Sequence, residues 1–522
     1  MPFDVLRRLF VHAPAAGRRP VDTSDDEVYP IHTLDGREGT QNLLLSWMLR
    51  FDDVLDAQML YRSLCRLIEL GDWRKLGGRY RRNQASCHES SQHGKLELHV
   101  PKQFTLQRPA VNYSHGLNLE MAMEKDAVGQ HLPRQADRPY FQSSHVDFMP
   151  LMGPANMPTT LEQMTDRDMP QLQLHIESFQ DGTLVTVSFP HVLMDGIGFK
   201  SVLTAWSLVL AGREQDVPAV HGAKTDVLQS ACIDEDQKGE ELVLKAVILR
   251  RLNRFLFYSR LLLDRWMNPE PQRRIIFLPA AVVNQLKWQA QQDIMDEGGP
   301  IDHQTPIIST GDVLLAWAIR LITSSESGPH RPVTAISAFN ARFTLPELNL
   351  PAVAYPQNMF LETFTLLSAP KDGSSAHGSL GRIALAHRLQ VAKQTTAEQT
   401  RSQVRAKYQP RARLEFYGPD KALPIVFNNV SKANVLQTVN FGPAVLAARQ
   451  AEPRRPGSGS AVYHHFCVLK RRESNFRNVF AVFGKDLEGN YWMTAALAPW
   501  TWDKLQDEFD NLPSASGKVA AM

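Results

Sequence analysis

Between Leu172 and Leu210 the hydrophobic period of the chain changes from two to that of a helix. Leu172 to Phe179 alternates apolar and polar residues, Asp181-Gly182 supplies a tight turn, and Leu184 to Phe189 alternates again. That pattern is a β-hairpin. Pro190 ends the second strand, because it has no N–H for the ladder. After His191 to Gly198, residues Phe199 to Leu210 are apolar around most of their surface and predict a buried helix. A strand feeding a helix through so short a loop commits the chain to a sheet with helices packed on it.

The same mixture recurs on both sides. Residues 1–40 read as an extended lead-in, and order is expected from the strand Leu43–Phe51. Asp56–Leu70 is spaced as a helix, and Gly77-Gly78-Arg79 as a turn. Residues 103–170 read as loops with short elements, and 212–240 as a polar connection. Leu242–Trp266 mixes Leu, Val, Ile and Phe with six Arg or Lys and one acid, Asp264. It predicts a basic amphipathic helix, whole or broken in two. The expectation is a strut covered by the protein's own lobes, the alternative a helix on a membrane surface or partner. Farther on, Ser309-Thr310 caps a helix with Asp312 in its first turn. Val333–Phe339 predicts a strand, 376–406 helices, Ile425–Val439 strand and loop, Phe476–Phe483 and Tyr491–Leu497 a second hairpin, and Trp502–Leu512 a closing helix. No repeat of 20–50 residues is visible. The fold class is α/β, organised as 1–225, a crossover linker at 226–270, and 271–522.

Composition sets bounds. At 522 residues, 43% hydrophobic and 21% charged, the chain is an ordinary globular protein with material for more than one core. Lys and Arg number 57 against 55 Asp and Glu, so nucleic acid is not an expected partner. Cys65, Cys87, Cys232 and Cys467 are far apart and form no CxxC pair, which argues against a disulfide framework or zinc site and for a reducing compartment. No apolar run suits a spanning helix, and the N-terminal stretch is a poor secretory signal. A cytoplasmic monomer, without metal or bound prosthetic group, is the expectation.

His191-Val192-Leu193-Met194-Asp195-Gly196 is where chemistry is expected. Imidazole suits proton transfer near neutrality, and a strand end holds it rigidly at a cleft. Asp195 either orients the His or braces the loop through an Arg, and Gly196 allows a sharp turn and leaves space beside the backbone. An HxxxD spacing arises by chance in a chain with 17 His. The following Gly and the position between strand and helix raise this one above that background.

The segment SFPHVLMDGIGF resembles the HxxxDG signature of the BAHD superfamily of CoA-dependent acyltransferases, in its fungal trichothecene-acetyltransferase-like branch. Weaker echoes follow in the family's order over most of the chain. Leu55–Arg79 resembles the N-terminal helix and "AGR" turn. Ser309-Thr310 with Ala316-Trp317 resembles the "ST…A.W" helix, and Phe339-Asn340-Ala341-Arg342 the "VNxR" strand. Tyr355-Pro356-Gln357-Asn358 resembles the "YxGN" loop with Gln357 for Gly. Val439-Asn440-Phe441-Gly442-Pro443 resembles "DFGWG", with Asn440 for Asp and the Trp-Gly pair lost.

The resemblance implies two similar domains of mixed sheet flanked by helices, with an active-site channel between them. It implies acyl transfer, most often acetyl, from acyl-CoA to a hydroxyl, less often an amine, of a specialised metabolite. His191 is then the general base. Asp195 pairs with Arg342 and is structural, beside Gly196. Asn429 is the expected oxyanion donor, by counting back from Asn440, with Ser431 as second candidate. Ser431, Lys432 and Asn358 are expected at CoA, with Arg471 and Arg472 as further phosphate candidates. Asn440 and Gly442 are structural, and the lost Asp charge predicts a loosened loop. Two other readings compete. A condensing enzyme would take its acyl group from a carrier protein, but no carrier segment is recognisable and Pro190 stands where such domains often have a second His. A non-catalytic binding or membrane-surface protein would not need His191, Asp195 and Gly196 intact.

Overall fold

In the computed structural model the described residues are 23–37, 39–83, 95–233, 240–297, 307–370, 378–409, 415–447, 457–469 and 476–512. Two mixed sheets organise them. The first has five strands in the order Tyr463–Val468, Leu44–Phe51, Thr183–Pro190, Gln173–Phe179, Asn112–Asn118. The second has seven: Phe360–Leu367, Val333–Asn340, Leu423–Asn429, Val479–Lys485, Tyr491–Leu497, Gln272–Leu278, Tyr140–Ser143. Each sheet thus takes an edge strand from the other half of the chain. Tyr463–Val468 pairs antiparallel with Leu44–Phe51, and Tyr140–Ser143 antiparallel with Gln272–Leu278.

Both expected hairpins form, Gln173–Phe179 with Thr183–Pro190 and Val479–Lys485 with Tyr491–Leu497. Alternation along the first does not divide water from core. Every residue of Leu44–Phe51, Gln173–Phe179 and Thr183–Pro190 is buried. One face packs Trp47, Leu49, Val185 and Val187 against the helices Ala57–Glu69 and Gly196–Leu210. The other brings Leu44, Met48 and Leu184 into a core with Ile275, Phe277 and Trp492 of the second sheet. Its polar residues pair in place of meeting water, as Ser188 Oγ does with Ser46 Oγ at 2.9 Å.

Local signals hold where side chains close them. Asp56 caps Ala57–Glu69 through Gln58 and Met59 N–H, and Ser309 with Asp312 forms a reciprocal capping box on Thr310–Ser325. The lead-in expectation is corrected. Glu27–Tyr29 pairs with Lys95–Val100, and His32, Leu34 and Asp35 are buried. Asn112–Asn118, Gln272–Leu278, Ala280–Asp296 and Phe360–Leu367 are regular elements that periodicity did not reveal. The basic segment is broken, the second of its two expected forms. A 3-10 turn at Lys245–Val247 precedes Arg251–Met267, of which Phe257 alone is fully buried. The described residues leave most of its apolar surface uncovered. No helix among the described residues is long and apolar enough to cross a membrane.

Candidate active site

Pro190 stands opposite Leu44 at the end of the register. The next residue, His191, closes the strand by donating its backbone N–H to the Leu43 carbonyl at 2.7 Å. The imidazole is thereby fixed at the mouth of a central strand. Its ring lies 5.5 Å from that of Phe360, and Nδ1 is enclosed with no hydrogen-bond partner among the described residues. Burial holds the imidazole below its ordinary value, although its own backbone, Asp195, Asn358 and Met194 favour the charged form. A neutral ring at neutral pH is the state a proton acceptor requires.

Asp195 has no capacity left for a substrate. It caps Gly196–Leu210 by accepting from Ile197 N–H at 3.1 Å and Gly198 N–H at 2.8 Å. Arg342 Nη1 reaches its oxygens at 3.0 and 2.8 Å, Asn340 Nδ2 donates at 2.9 Å, and Met359 N–H at 2.9 Å. Burial, the largest single influence, would raise this carboxyl, but the Arg342 charge and hydrogen bonds with the Met359 and Gly198 N–H groups together outweigh it, and the Asp195 pKa is lowered. Arg342 spends its other nitrogen on the Tyr355 and Gln357 carbonyls at 2.6 and 2.7 Å. Strand Val333–Asn340 and loop 355–359 are therefore pinned to the His191 loop through one carboxylate. The motif lies where the first sheet's lobe meets the second's.

For Gly196 only the expectation about the turn is corrected. The chain turns on extended backbone at Asp195, φ −90° and ψ −179°. Gly196 is the first helical residue, and a Cβ there would lie 3.4 Å from Trp47.

Asn358 is also corrected. It was expected at CoA, yet it is buried and committed behind His191. Its Nδ2 donates to the His191 carbonyl at 2.7 Å and to Asp35 Oδ1 at 2.8 Å, and its N–H to the same oxygen at 2.7 Å. Asp35 is the functional-site residue that sequence reasoning missed. It lies far from the motif in the chain, in a segment read as lead-in, and no local pattern marks it. Burial pushes its carboxyl up to about 7.

Asn429 ends the strand Leu423–Asn429, and its Oδ1 accepts from Ser431 N–H at 3.0 Å. Its Nδ2 lies 2.8 Å from where a Cβ of residue 311 would sit, so Gly311 makes room for that amide. The following Val430 is 4.0 Å from an ideal Cβ on Gly196, which brings this segment beside the motif. Lys432 is exposed and stacks over Phe343 at 4.7 Å. Asn440 is not loose in its loop. Its N–H donates to Ser207 Oγ at 3.1 Å, and its Oδ1 accepts from Gly442 N–H at 3.0 Å. A neutral amide braces the loop where the family's pattern has Asp. Arg471 and Arg472 lie outside the described residues.

No protein-family model matches the chain. O-acetyltransferase PaAT-2 of Phomopsis amygdali is 33% identical over 497 residues, covering 94% of this chain and 98% of the relative. The chain belongs to the BAHD-type CoA-dependent acyltransferases. Within these acyltransferases, Acetyltransferase BOT5 of Botryotinia fuckeliana is 30% identical over 510 residues, 93% of this chain and 91% of the relative. The solved structure of F. graminearum TRI101 with coenzyme A and T-2 mycotoxin is similar at a TM-score of 0.62, covering 93% of this chain and 98% of that one. At 14% identity that likeness shows a shared fold. This chain is an O-acyltransferase, with acyl-CoA as co-substrate.

Proposed function

We propose that this acyltransferase moves an acetyl group from acetyl-CoA to a hydroxyl of a specialised metabolite, with His191 as general base. The acceptor O–H gives its proton to Nε2, the ring nitrogen left once Nδ1 is enclosed. The acceptor oxygen's lone pair forms a bond to the thioester carbonyl carbon, and the C=O π pair moves onto the carbonyl oxygen; it returns to re-form C=O as the thiolate leaves. The C–S bond then breaks, and the leaving thiolate takes the proton back from the imidazolium. The carrying observation is the commitment of Asp195 to Arg342, Asn340 and three backbone N–H groups. It leaves His191 as the motif's free proton acceptor. The Asn429 amide, given room by Gly311, is the proposed oxyanion donor. Lys432 is the proposed contact for a CoA phosphate and Ser431 a neighbouring hydrogen-bonding group. Asp195, Gly196, Arg342, Asn440 and Gly442 hold the loops. Residues 1–225 and 271–522 are read as two lobes with exchanged edge strands, joined by 226–270, in a cytoplasmic monomer. The names of the relatives support acetyl transfer to oxygen over a carrier-protein donor or a non-catalytic role. The test is release of free thiol from acetyl-CoA with a panel of hydroxylated terpenoid and polyketide acceptors, by the wild type and by His191→Ala. Equal rates would remove His191 from the reaction.

A further inference from the structure

The helix Arg251–Met267 turns a full apolar stripe away from the other described residues. Leu252, Phe255, Leu262 and Trp266 recur at the spacing of one helix face, and are 65, 66, 52 and 84% exposed. Leu263 and Met267, at 52 and 64%, widen the stripe. From Leu252 to Trp266 it runs about 21 Å. An apolar surface of that length is unusual on a globular protein and marks an interaction site.

The helix cannot roll to bury this face. Phe257 is held inward against Phe416, with rings 5.1 Å apart. Arg260 is bound to Asp420, and Asp264 to Arg477 at 2.5 Å. Leu249 N–H donates to the Phe416 carbonyl at 2.8 Å just before the helix starts. These contacts all lie on the inner side, so the outer face is set by the fold.

Charge identifies the occupant. Arg251, Arg254 and Arg265 fall together along one flank of the stripe at helical spacing. The helix's single acid, Asp264, is spent on Arg477. A cationic flank beside Leu, Phe and a terminal Trp is the composition of a helix lying in the plane of a bilayer interface. An apolar protein partner would not call for a one-sided row of arginines, whereas anionic headgroups do. We propose that the helix Arg251–Met267 docks the acyltransferase on an anionic membrane surface, its Leu252–Trp266 stripe entering the headgroup region and Arg251, Arg254 and Arg265 meeting lipid phosphates. A lipid surface would also be where an apolar acceptor concentrates.

The test uses the full chain with vesicles of phosphatidylcholine alone and of phosphatidylcholine with phosphatidylserine. The wild type is expected to sediment with the anionic vesicles, less so as salt rises, and weakly with phosphatidylcholine alone. Arg251→Gln, Arg254→Gln and Arg265→Gln together should weaken that binding about a hundredfold. Phe255→Ser, Leu262→Ser and Trp266→Ser together should abolish it. All six side chains are wholly or partly exposed, so melting temperature and thiol release in solution report that each variant is folded. A wild type that ignores both vesicle types overturns the proposal, as does binding that either triple variant leaves unchanged. A dimer in sedimentation equilibrium that becomes monomer in the serine variant, without vesicle binding by the wild type, assigns the face to a second copy and also overturns it.

Discussion

The His191 loop and the Arg251–Met267 helix use the same materials to opposite ends. Both set arginines among Leu, Met and Phe. At the loop, the Arg342 side chain is buried, its charge cancelled by Asp195 and its Nη2 donating to two carbonyls. On the helix, Arg251 and Arg265 are exposed and the large apolar side chains stand in the open. The first region spends its polar groups on rigidity, because a buried charge must be paired or it costs several kcal/mol. The second keeps both apolar and cationic groups unspent, which a protein does where something else will cover them. The contrast separates a site that positions atoms from a surface that positions the whole molecule.

The contrast is breakable at several points. His191→Ala should lower turnover by about 10²–10⁴ with the fold intact, measured by thiol release. In the wild type, activity should persist as pH falls below the ordinary histidine value, because burial lowers the His191 pKa and the neutral ring is the base. An acidic limb at or above that ordinary value would contradict the burial.

Removing one partner of the pinning pair should come next. Asp195→Ala or Arg342→Ala should cost about 3–5 kcal/mol in denaturant unfolding, since each leaves a buried group uncompensated. The double variant should be markedly non-additive. Because folding lowers the Asp195 pKa, its contribution is present above the unfolded carboxyl value and is lost as pH falls through the lowered one. Asp195→Asn should therefore flatten the acid side of the stability profile.

Asp35 sharpens the comparison from the opposite sign. Its folded pKa, about 7, is raised by burial, so its favourable contribution is full below the unfolded value of about 4 and is lost as pH rises towards 7. Asp35→Asn keeps an acceptor for Asn358 and should remove that loss between pH 4 and 7. Turnover should fall by about tenfold or less, since the change reaches His191 only through Asn358. A loss equal to that of His191→Ala would place Asp35 in the chemistry itself. The smallest effect belongs to the helix. Replacing Arg251, Arg254 and Arg265 by Gln should shift unfolding by less than about 0.5 kcal/mol each in solution, however much it alters binding to vesicles.

By itself the sequence determined the elements whose signals are local. The hairpin into His191, the capping box at Ser309 and Asp312, and the strand bearing Asn340 are written in residues a few positions apart. Turn chemistry, caps and periodicity act over that range. The link from Asp195 to Arg342 was legible only through the family's pattern. The tertiary structure decided what no short window contains. It placed Tyr463–Val468 and Tyr140–Ser143 in the opposite sheets. It buried Asp35 behind Asn358 and gave Asn358 to the His191 carbonyl in place of CoA. It also decided which face of Arg251–Met267 meets the protein, by seating Phe257 on Phe416. The physical reason is common to all three. A period says that a strand or helix has a face to bury, but which surface covers it depends on residues a hundred or more positions away whose arrival only the packed chain decides.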